Sequence, residues 1–354
     1  MARKAFIIGG TGQIGCAIAA NLLENGWRVT ASHRGHRAPP SELIERGLEV
    51  VTLDRQDSAA IASALGSGAD ALIDTVAFDE THARQLLEVE TSVGTLLVIS
   101  SASVYRDEAG RTLEESMQTG FPEFDELITE RQATVDPGPG TYSTRKMALE
   151  TTLQEQAGCP VTVLRPCAIH GPGSQHPREW WFVKRMLDGR DSIPLAYQGR
   201  SRFHTSSVRN IAELTRICLD NPGSRTLNIG DPDPPDVAAI GQAIARYMNY
   251  QGKFIRISDD DAYPPRVGTT PWSCPRPFLI DMAAASEIGY RPVATYEDSV
   301  LETCRWLSEV AKTAPWRELF PVLAGYPRDL FDYAAEDDFL NCNNNLTVSV
   351  RTQS

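Results

Sequence analysis

The chain opens on a short apolar run, Lys4 to Gly9, that passes through a glycine-rich turn into Gln13 to Asn25, where Ile14, Ile18, Leu22 and Leu23 recur at helical spacing. A continuous apolar run followed by a 3.6-residue period predicts strand, turn and helix. The alternation continues. Arg28 to Ser32, Glu49 to Leu53, Ala71 to Val76, Leu96 to Ser100 and Val161 to Arg165 read as strands, and Pro40 to Arg46, Ser58 to Leu65, Glu80 to Val89 and Ser143 to Gln156 as helices. The strands are apolar nearly throughout, the pattern of a parallel sheet covered on both faces. The expected fold class is α/β with a doubly wound parallel sheet.

After Arg165 the rhythm changes, and Pro/Gly clusters stand at Gly171 to Gly173, Gly230 to Pro235 and Tyr263 to Pro277. Helices are expected at Pro177 to Asp188, Val208 to Asp220, Val237 to Asn249 and Ser299 to Thr313. This divides the chain into a first domain over 1–166 and a smaller C-terminal lobe over 167–335, interleaved with the sheet. A polar, Asn-rich tail over 336–354 is expected to be mobile. Arg106 to Gly140 is a long polar insertion, expected to form a lid or wrapped loop beside the substrate entrance.

The 354 residues suffice for two folded units, and 42% hydrophobic against 23% charged residues excludes global disorder. Lys and Arg number 34 against 46 Asp and Glu, a net charge of -12, so general nucleic-acid affinity is excluded. No stretch approaches the ~18 uninterrupted apolar residues of a membrane helix. Arg3 and Lys4 precede an apolar run, but Gly9, Gly10, Gly12 and Gly15 break it too early for a secretory leader. The seven cysteines are scattered, without CxxC pairs or metal-ligand spacing, and read as free thiols of a cytoplasmic protein that holds no metal.

The first turn reads Gly9-Gly10-Thr11-Gly12-Gln13-Ile14-Gly15 between strand and helix. Such a turn lets the backbone approach a pyrophosphate at a helix N-terminus, which makes the sheet a Rossmann-type one. The end of the second strand normally selects the dinucleotide, an acidic residue for NAD and an Arg for NADP. Here it reads Ser32-His33-Arg34-Gly35-His36-Arg37, so Arg34 and Arg37 favour NADP over NAD. Tyr142 and Lys146 stand four residues apart, on one helix face, where an ammonium can lower the pKa of a phenol. A hydroxyl-rich stretch, Ser100 to Tyr105, leaves a buried strand at the edge where ligands bind in such folds.

With GGTGQIG, ISSASVY, YSTRK, LRPCAIHGP at Leu164 to Pro172, RFHTSSV at Arg202 to Val208 and LNIGDP at Leu227 to Pro232, the chain resembles the extended short-chain dehydrogenase/reductase family, also called the NAD-dependent epimerase/dehydratase family, over about residues 4 to 310. The resemblance implies Tyr142 as acid/base, Ser101 as the hydroxyl that bonds the reacting oxygen, and Lys146 as the ligand of the nicotinamide ribose. Asp54, with Arg55 beside it, matches the position that contacts adenine. Thr75, Val76 and Ala77 match a loop along the cofactor, and Pro166 and Cys167 match residues beside the nicotinamide. The family also implies a homodimer and a small-molecule substrate.

The departures matter equally. Where nucleotide-sugar enzymes of the family carry an Asn on the substrate diphosphate, this chain has Ala168, and His170 replaces the following Tyr; Arg200 nevertheless stands four residues before His204, where an epimerase has its diphosphate-binding Arg. Ala102 and Ser103 replace the acidic pair of the 4,6-dehydratases. Ser103, Ala168, His170, Trp181, Arg200 and His204 are the candidate substrate contacts. For Trp181 a core position is the preferred reading, and for both histidines a hydrogen-bonded structural role. The expected activity is an NADPH-dependent reduction of a carbonyl by hydride transfer. A nucleotide-sugar epimerase with tightly bound NAD is the alternative, and a non-catalytic dinucleotide sensor the third reading.

Overall fold

The apolar runs of the first half form six parallel strands, β1 (Lys4–Ile8), β2 (Arg28–His33), β3 (Glu49–Thr52), β4 (Ala71–Asp74), β5 (Leu96–Ile99) and β6 (Val161–Pro166). Beyond them lie β7 (Ala168–His170), β8 (Ser192–Leu195), β9 (Thr205–Ser207), β10 (Arg225–Ile229) and β11 (Lys253–Arg256). The structure is a computed structural model and describes residues 2–35, 38–258, 264 and 266–351. Its central sheet runs β10-β6-β5-β4-β1-β2-β3, every pair parallel, so the chain reverses direction of travel between β1 and β4. That reversal is where doubly wound folds bind their ligands.

Two units divide the chain. The first comprises Met1–Ile169, His204–Asp233 and Phe278–Thr295, and the second His170–Phe203, Pro234–Pro277 and Tyr296–Ser354.

Through the first half of the chain run α1 (Gln13–Glu24), α2 (Ser41–Glu45), α3 (Ser58–Leu65), α4 (Glu80–Leu87), α5 (Ser116–Thr119) and α6 (Tyr142–Gln156). Successive strand residues point to opposite faces of the sheet, and both faces are covered. Ile7, Ala31, Ile73 and Leu97 join Ile18 and Leu22 of α1 on one face. Phe6, Ile8, Leu72, Val98 and Val163 join Ile61 of α3, Leu86 of α4 and Leu149 and Leu153 of α6 on the other. This is why the strands lack a polar face in the sequence.

The second half contributes α7 (Trp180–Leu187), α8 (Val208–Asp220), α9 (Val237–Met248), α10 (Ala283–Glu287), α11 (Tyr296–Val310), α12 (Trp316–Leu319), α13 (Pro321–Ala324) and α14 (Tyr333–Arg351). Helix α8, expected in the C-terminal lobe, belongs to the first unit. Its Ile211, Leu214 and Leu219 share the core of Ile18 and Leu22, and truncating Leu214 to Ala would cost ~2–5 kcal/mol. Spacing shows that a helix has an apolar face, but not which sheet it covers.

The insertion over 106–140 is a wrapped segment of the first unit. Arg106 N donates to Ala133 O, Val135 N to Val104 O and Ile128 N to Leu279 O. Inside it, buried Asp107 accepts from Arg111 N, Arg111 Nε and Glu123 N, at 2.7–2.9 Å.

In the second unit β8 and β11 pair in parallel, and Phe182 of α7 lies against Phe254 and Trp272. The tail expected to be mobile from 336 instead begins inside α14. Glu336 is buried and ion-paired to Arg185, a partner 151 positions away that the local polarity of the tail could not reveal. No helix among the described residues is long and apolar enough to cross a membrane.

Candidate active site

The glycines of the first turn have separate reasons. Gly9 has φ +75°, and a Cβ there would lie 2.7 Å from Thr75 Oγ1. At Gly10 a Cβ would meet that of Ala31 at 2.4 Å, and at Gly15 it would meet Gly9 O at 2.4 Å. The turn therefore has no room for a side chain at any of the three positions. Gly12 is the N-cap of α1, with no side-chain cap and no acidic residue in the first turn of the helix. A helix end left in this way suits an anionic ligand. Thr11 is buried and Ile14 packs on the core, which leaves the turn's backbone and Gln13 as the groups suited to such a ligand.

Around this turn the strand ends converge. Gly10 N donates to Ser32 O at 3.1 Å, and Thr75 Oγ1 to Ile8 O at 3.0 Å. Arg34 is exposed just past β2, and Asp54 is exposed past β3, with one carboxylate oxygen accepting from Gln56 N at 3.0 Å. Arg37 lies outside the described residues. Arg55, expected beside Asp54 on the cofactor, points inward instead. Its Nη2 donates to Asp74 Oδ2 at 2.7 Å and to His82 O at 3.1 Å, and Nη1 bonds Gln85 Oε1. Buried Asp74 needs that counter-ion, and its other oxygen accepts from Val76 N at 2.9 Å. Arg55 thus shapes the loop after β4, where Val76 is exposed and Ala77 is buried.

Helix α6 carries Tyr142 and Lys146 into the same region. Thr141 and Thr144 form a reciprocal capping box at its start. Lys146 Nζ donates to Ala77 O at 2.6 Å and Ile99 O at 2.9 Å, tying the ends of β4 and β5, and lies 5.7 Å from the Tyr142 ring centroid. Burial lowers its pKa to about 8, against the opposing charges of Asp74 and Glu150. Tyr142 is 42% exposed as a residue, and its ring lies 5.6 Å from the Phe78 ring. Desolvation raises its pKa, a hydrogen bond from Ser101 lowers it, and the Glu114 charge raises it. Ser101, 41 residues before Tyr142 in the chain, therefore stands with Tyr142 and Lys146 in one unit.

Three supporting contacts fix this arrangement, and of their residues Ser101 and Ser103 were singled out from the sequence, but not Ser143, Glu150 or Glu114. Ser143 Oγ donates to Ser103 Oγ at 3.0 Å, and Ser103 N donates to Ser101 Oγ at 3.1 Å. Glu150, one turn beyond Lys146, is fully buried, accepts from Ser100 Oγ and is paired with Arg165 of β6. Glu114 accepts from the N–H groups of Tyr142 and Ser143. For Glu150 a signal was legible: a carboxylate on the helix face of Tyr142 and Lys146, followed by an Arg inside an apolar strand.

The candidate substrate contacts divide. Ser103 adjoins Ser101, and Cys167 N, next to Pro166 at the end of β6, donates to Ser206 Oγ at 2.9 Å. Ala168 is buried, its N–H on His204 O. His204 is not an open substrate contact. It is buried, Nδ1 accepts from Ile280 N at 3.1 Å and Nε2 lies 2.9 Å from Asp231 O, so both ring nitrogens brace backbone. In the second unit Trp181 is core, 1% exposed, with the Arg185 guanidinium 3.6 Å over its ring. His170 is buried against the Tyr296 ring, and Arg200 is exposed and bonds Gln198 Oε1.

The model of the NAD dependent epimerase/dehydratase family matches residues 5–230. The chain is 22% identical over 328 residues to UDP-N-acetyl-alpha-D-glucosaminuronate decarboxylase of Bacillus cytotoxicus, covering 88% of this chain and 99% of that relative. Among solved structures, UDP-glucose 4-epimerase of Thermotoga maritima, with UDP-glucose, has a TM-score of 0.64 at 16% identity, over 87% of this chain and 99% of that one. WbmH of Bordetella bronchiseptica, in complex with NAD+, has a TM-score of 0.65 at 17% identity, over 87% and 99%. These similarities establish a shared fold.

Proposed function

This chain belongs to the NAD dependent epimerase/dehydratase family, and on that premise we propose that it is a nicotinamide-dependent enzyme that oxidises and re-reduces a carbinol carbon of a nucleotide-activated sugar, an epimerase-type reaction. The observation that carries the chemistry is the junction of Ser101, Tyr142 and Lys146 at the C-terminal edge of the sheet. The sugar-nucleotide substrate is supported by the decarboxylase and epimerase relatives.

The glycine turn, the N-terminus of α1, Asp54, the loop from Thr75 to Ala77 and Lys146 would hold a dinucleotide. When bound, its nicotinamide supplies the carbon that takes or gives the hydride. Tyr142 exchanges a proton with the substrate oxygen, Ser101 orients that oxygen, and the Lys146 ammonium favours the phenolate through its charge. Two hydrogen bonds to carbonyls take two donors of the Lys146 ammonium and leave a third for a ligand oxygen.

A second reading, an NADPH-dependent carbonyl reductase, is favoured by Arg34 past β2 and by Ala168 at the position where an Asn would meet a substrate diphosphate. Identifying any dinucleotide that co-purifies separates the two. Retained NAD with interconversion of UDP-sugar epimers supports the first; exchangeable NADPH consumed by a carbonyl compound supports the second. Undiminished turnover by Tyr142→Phe overturns both.

A further inference from the structure

We propose that Glu114, carried by the wrapped segment after β5, is a positioning residue for the reaction, its carboxylate clamping the first turn of α6 so that Tyr142 and Ser143 are held in place against Ser101 and Ser103. This rests on the reading of Tyr142 as the acid/base. The clamp follows from an accounting of helix-start donors, since the first N–H groups of a helix have no intrahelical acceptor. In α6, the N-cap Thr141 N is taken by Thr144 Oγ1 and Thr144 N by Thr141 Oγ1. The two that remain belong to Tyr142 and Ser143, and Glu114 takes both, Oε1 from Tyr142 N at 2.9 Å and Oε2 from Ser143 N at 3.0 Å. A residue 28 positions upstream thus completes the cap.

What the clamp holds is the hydroxyl chain. Ser143 Oγ donates to Ser103 Oγ, and Ser103 N donates to Ser101 Oγ, so a shift in the first turn of α6 reaches Ser101 through two bonds. The clamp is itself held, because Asp107 gathers Arg111 and Glu123 on either side of Glu114 in the chain.

The position has an electrostatic consequence. The charged groups near the phenol are Lys146 on the same helix, Arg145, whose guanidinium lies 5.5 Å over the Phe78 ring that faces Tyr142, and Glu114. Glu114 opposes the phenolate, and a cation near a phenol favours it by the sign of its charge. The N–H bonds keep Glu114 ionised by holding its carboxyl below the usual range, against the opposing effect of burial. Glu114 therefore couples the geometry of the wrapped segment to the protonation of Tyr142.

The test uses the full chain labelled with fluorotyrosine, its Tyr142 resonance assigned by loss in Tyr142→Phe. Glu114→Gln keeps the size but removes the charge and one of the two acceptors, and it is expected to lower the Tyr142 titration midpoint by about half a pH unit or more. Glu115→Gln, a neighbouring carboxylate bonded to Thr112, is expected to leave it unchanged. Glu114→Asp keeps the charge but shortens the reach, and it is expected to speed amide exchange of Tyr142 and Ser143 about tenfold, as the loss of ~1.4 kcal/mol of hydrogen bonding would. An unmoved midpoint in folded Glu114→Gln, an equal shift in Glu115→Gln, or unchanged exchange in Glu114→Asp would overturn the proposal. Turnover by Tyr142→Phe tests the acid/base role separately, since the midpoint reports the coupling whatever the phenol does.

Discussion

Lys146 reaches the carbonyl oxygen of Ala77 at 2.6 Å, so a helix residue meant for a ligand also closes the gap between two strand ends. With the bond to Ile99, this makes the ammonium both a structural tie and a charge beside the phenol.

The first prediction concerns pH. Burial holds the pKa of Lys146 at about 8 against 10.5 for the free side chain. Below pH 8 both folded and unfolded chains carry the proton, and the folded state bears the cost of burying the charge. Between 8 and 10.5 only the unfolded chain holds it, so this contribution rises with pH. The stability of Lys146→Met relative to the parent is therefore expected to decline from pH 8 to pH 10. Urea unfolding at four pH values checks this; a relative stability that climbs with pH contradicts it.

Glu150 and Arg165 form a buried pair in which Arg165 also lies 5.0 Å over the Tyr105 ring. Glu150→Ala leaves an uncompensated buried cation and is expected to cost ~3–5 kcal/mol in urea unfolding. Glu150→Met with Arg165→Met should recover most of that loss. If the single variant unfolds like the parent, the pair does not hold α6 to β6.

His204 braces Ile280 and Asp231 through both ring nitrogens. His204→Ala is expected to lose about 2 kcal/mol or more of stability while dinucleotide affinity stays unchanged. A large affinity loss at unchanged melting temperature would return His204 to the ligand site.

Arg34 stands exposed past β2, where the ribose 2′ position of a dinucleotide is read. If the chain takes NADP, Arg34→Ala should weaken NADPH binding about tenfold, the ~1.5–3 kcal/mol of a charge-assisted contact, and leave NADH binding unaltered. Calorimetry with both dinucleotides measures it. Equal losses for the two would make Arg34 a general surface charge.

Where backbone conformation and periodicity decide the structure, the sequence by itself determined it. The six apolar runs became β1 to β6 because a parallel sheet buries both faces, and the glycine turn was legible because a side chain at Gly9, Gly10 or Gly15 would collide within a few residues or across one strand. Tyr142 and Lys146 share a helix face by arithmetic alone. Tertiary structure decided which charges meet. Arg55 turned from the ligand edge to Asp74, His204 and Trp181 became bracing and core, α8 and β10 joined the first unit, and Glu114 reached the start of α6. The reason is physical. A buried carboxylate or an orphan helix donor must find a partner, but the need is local while the partner is set by packing between segments far apart in the chain.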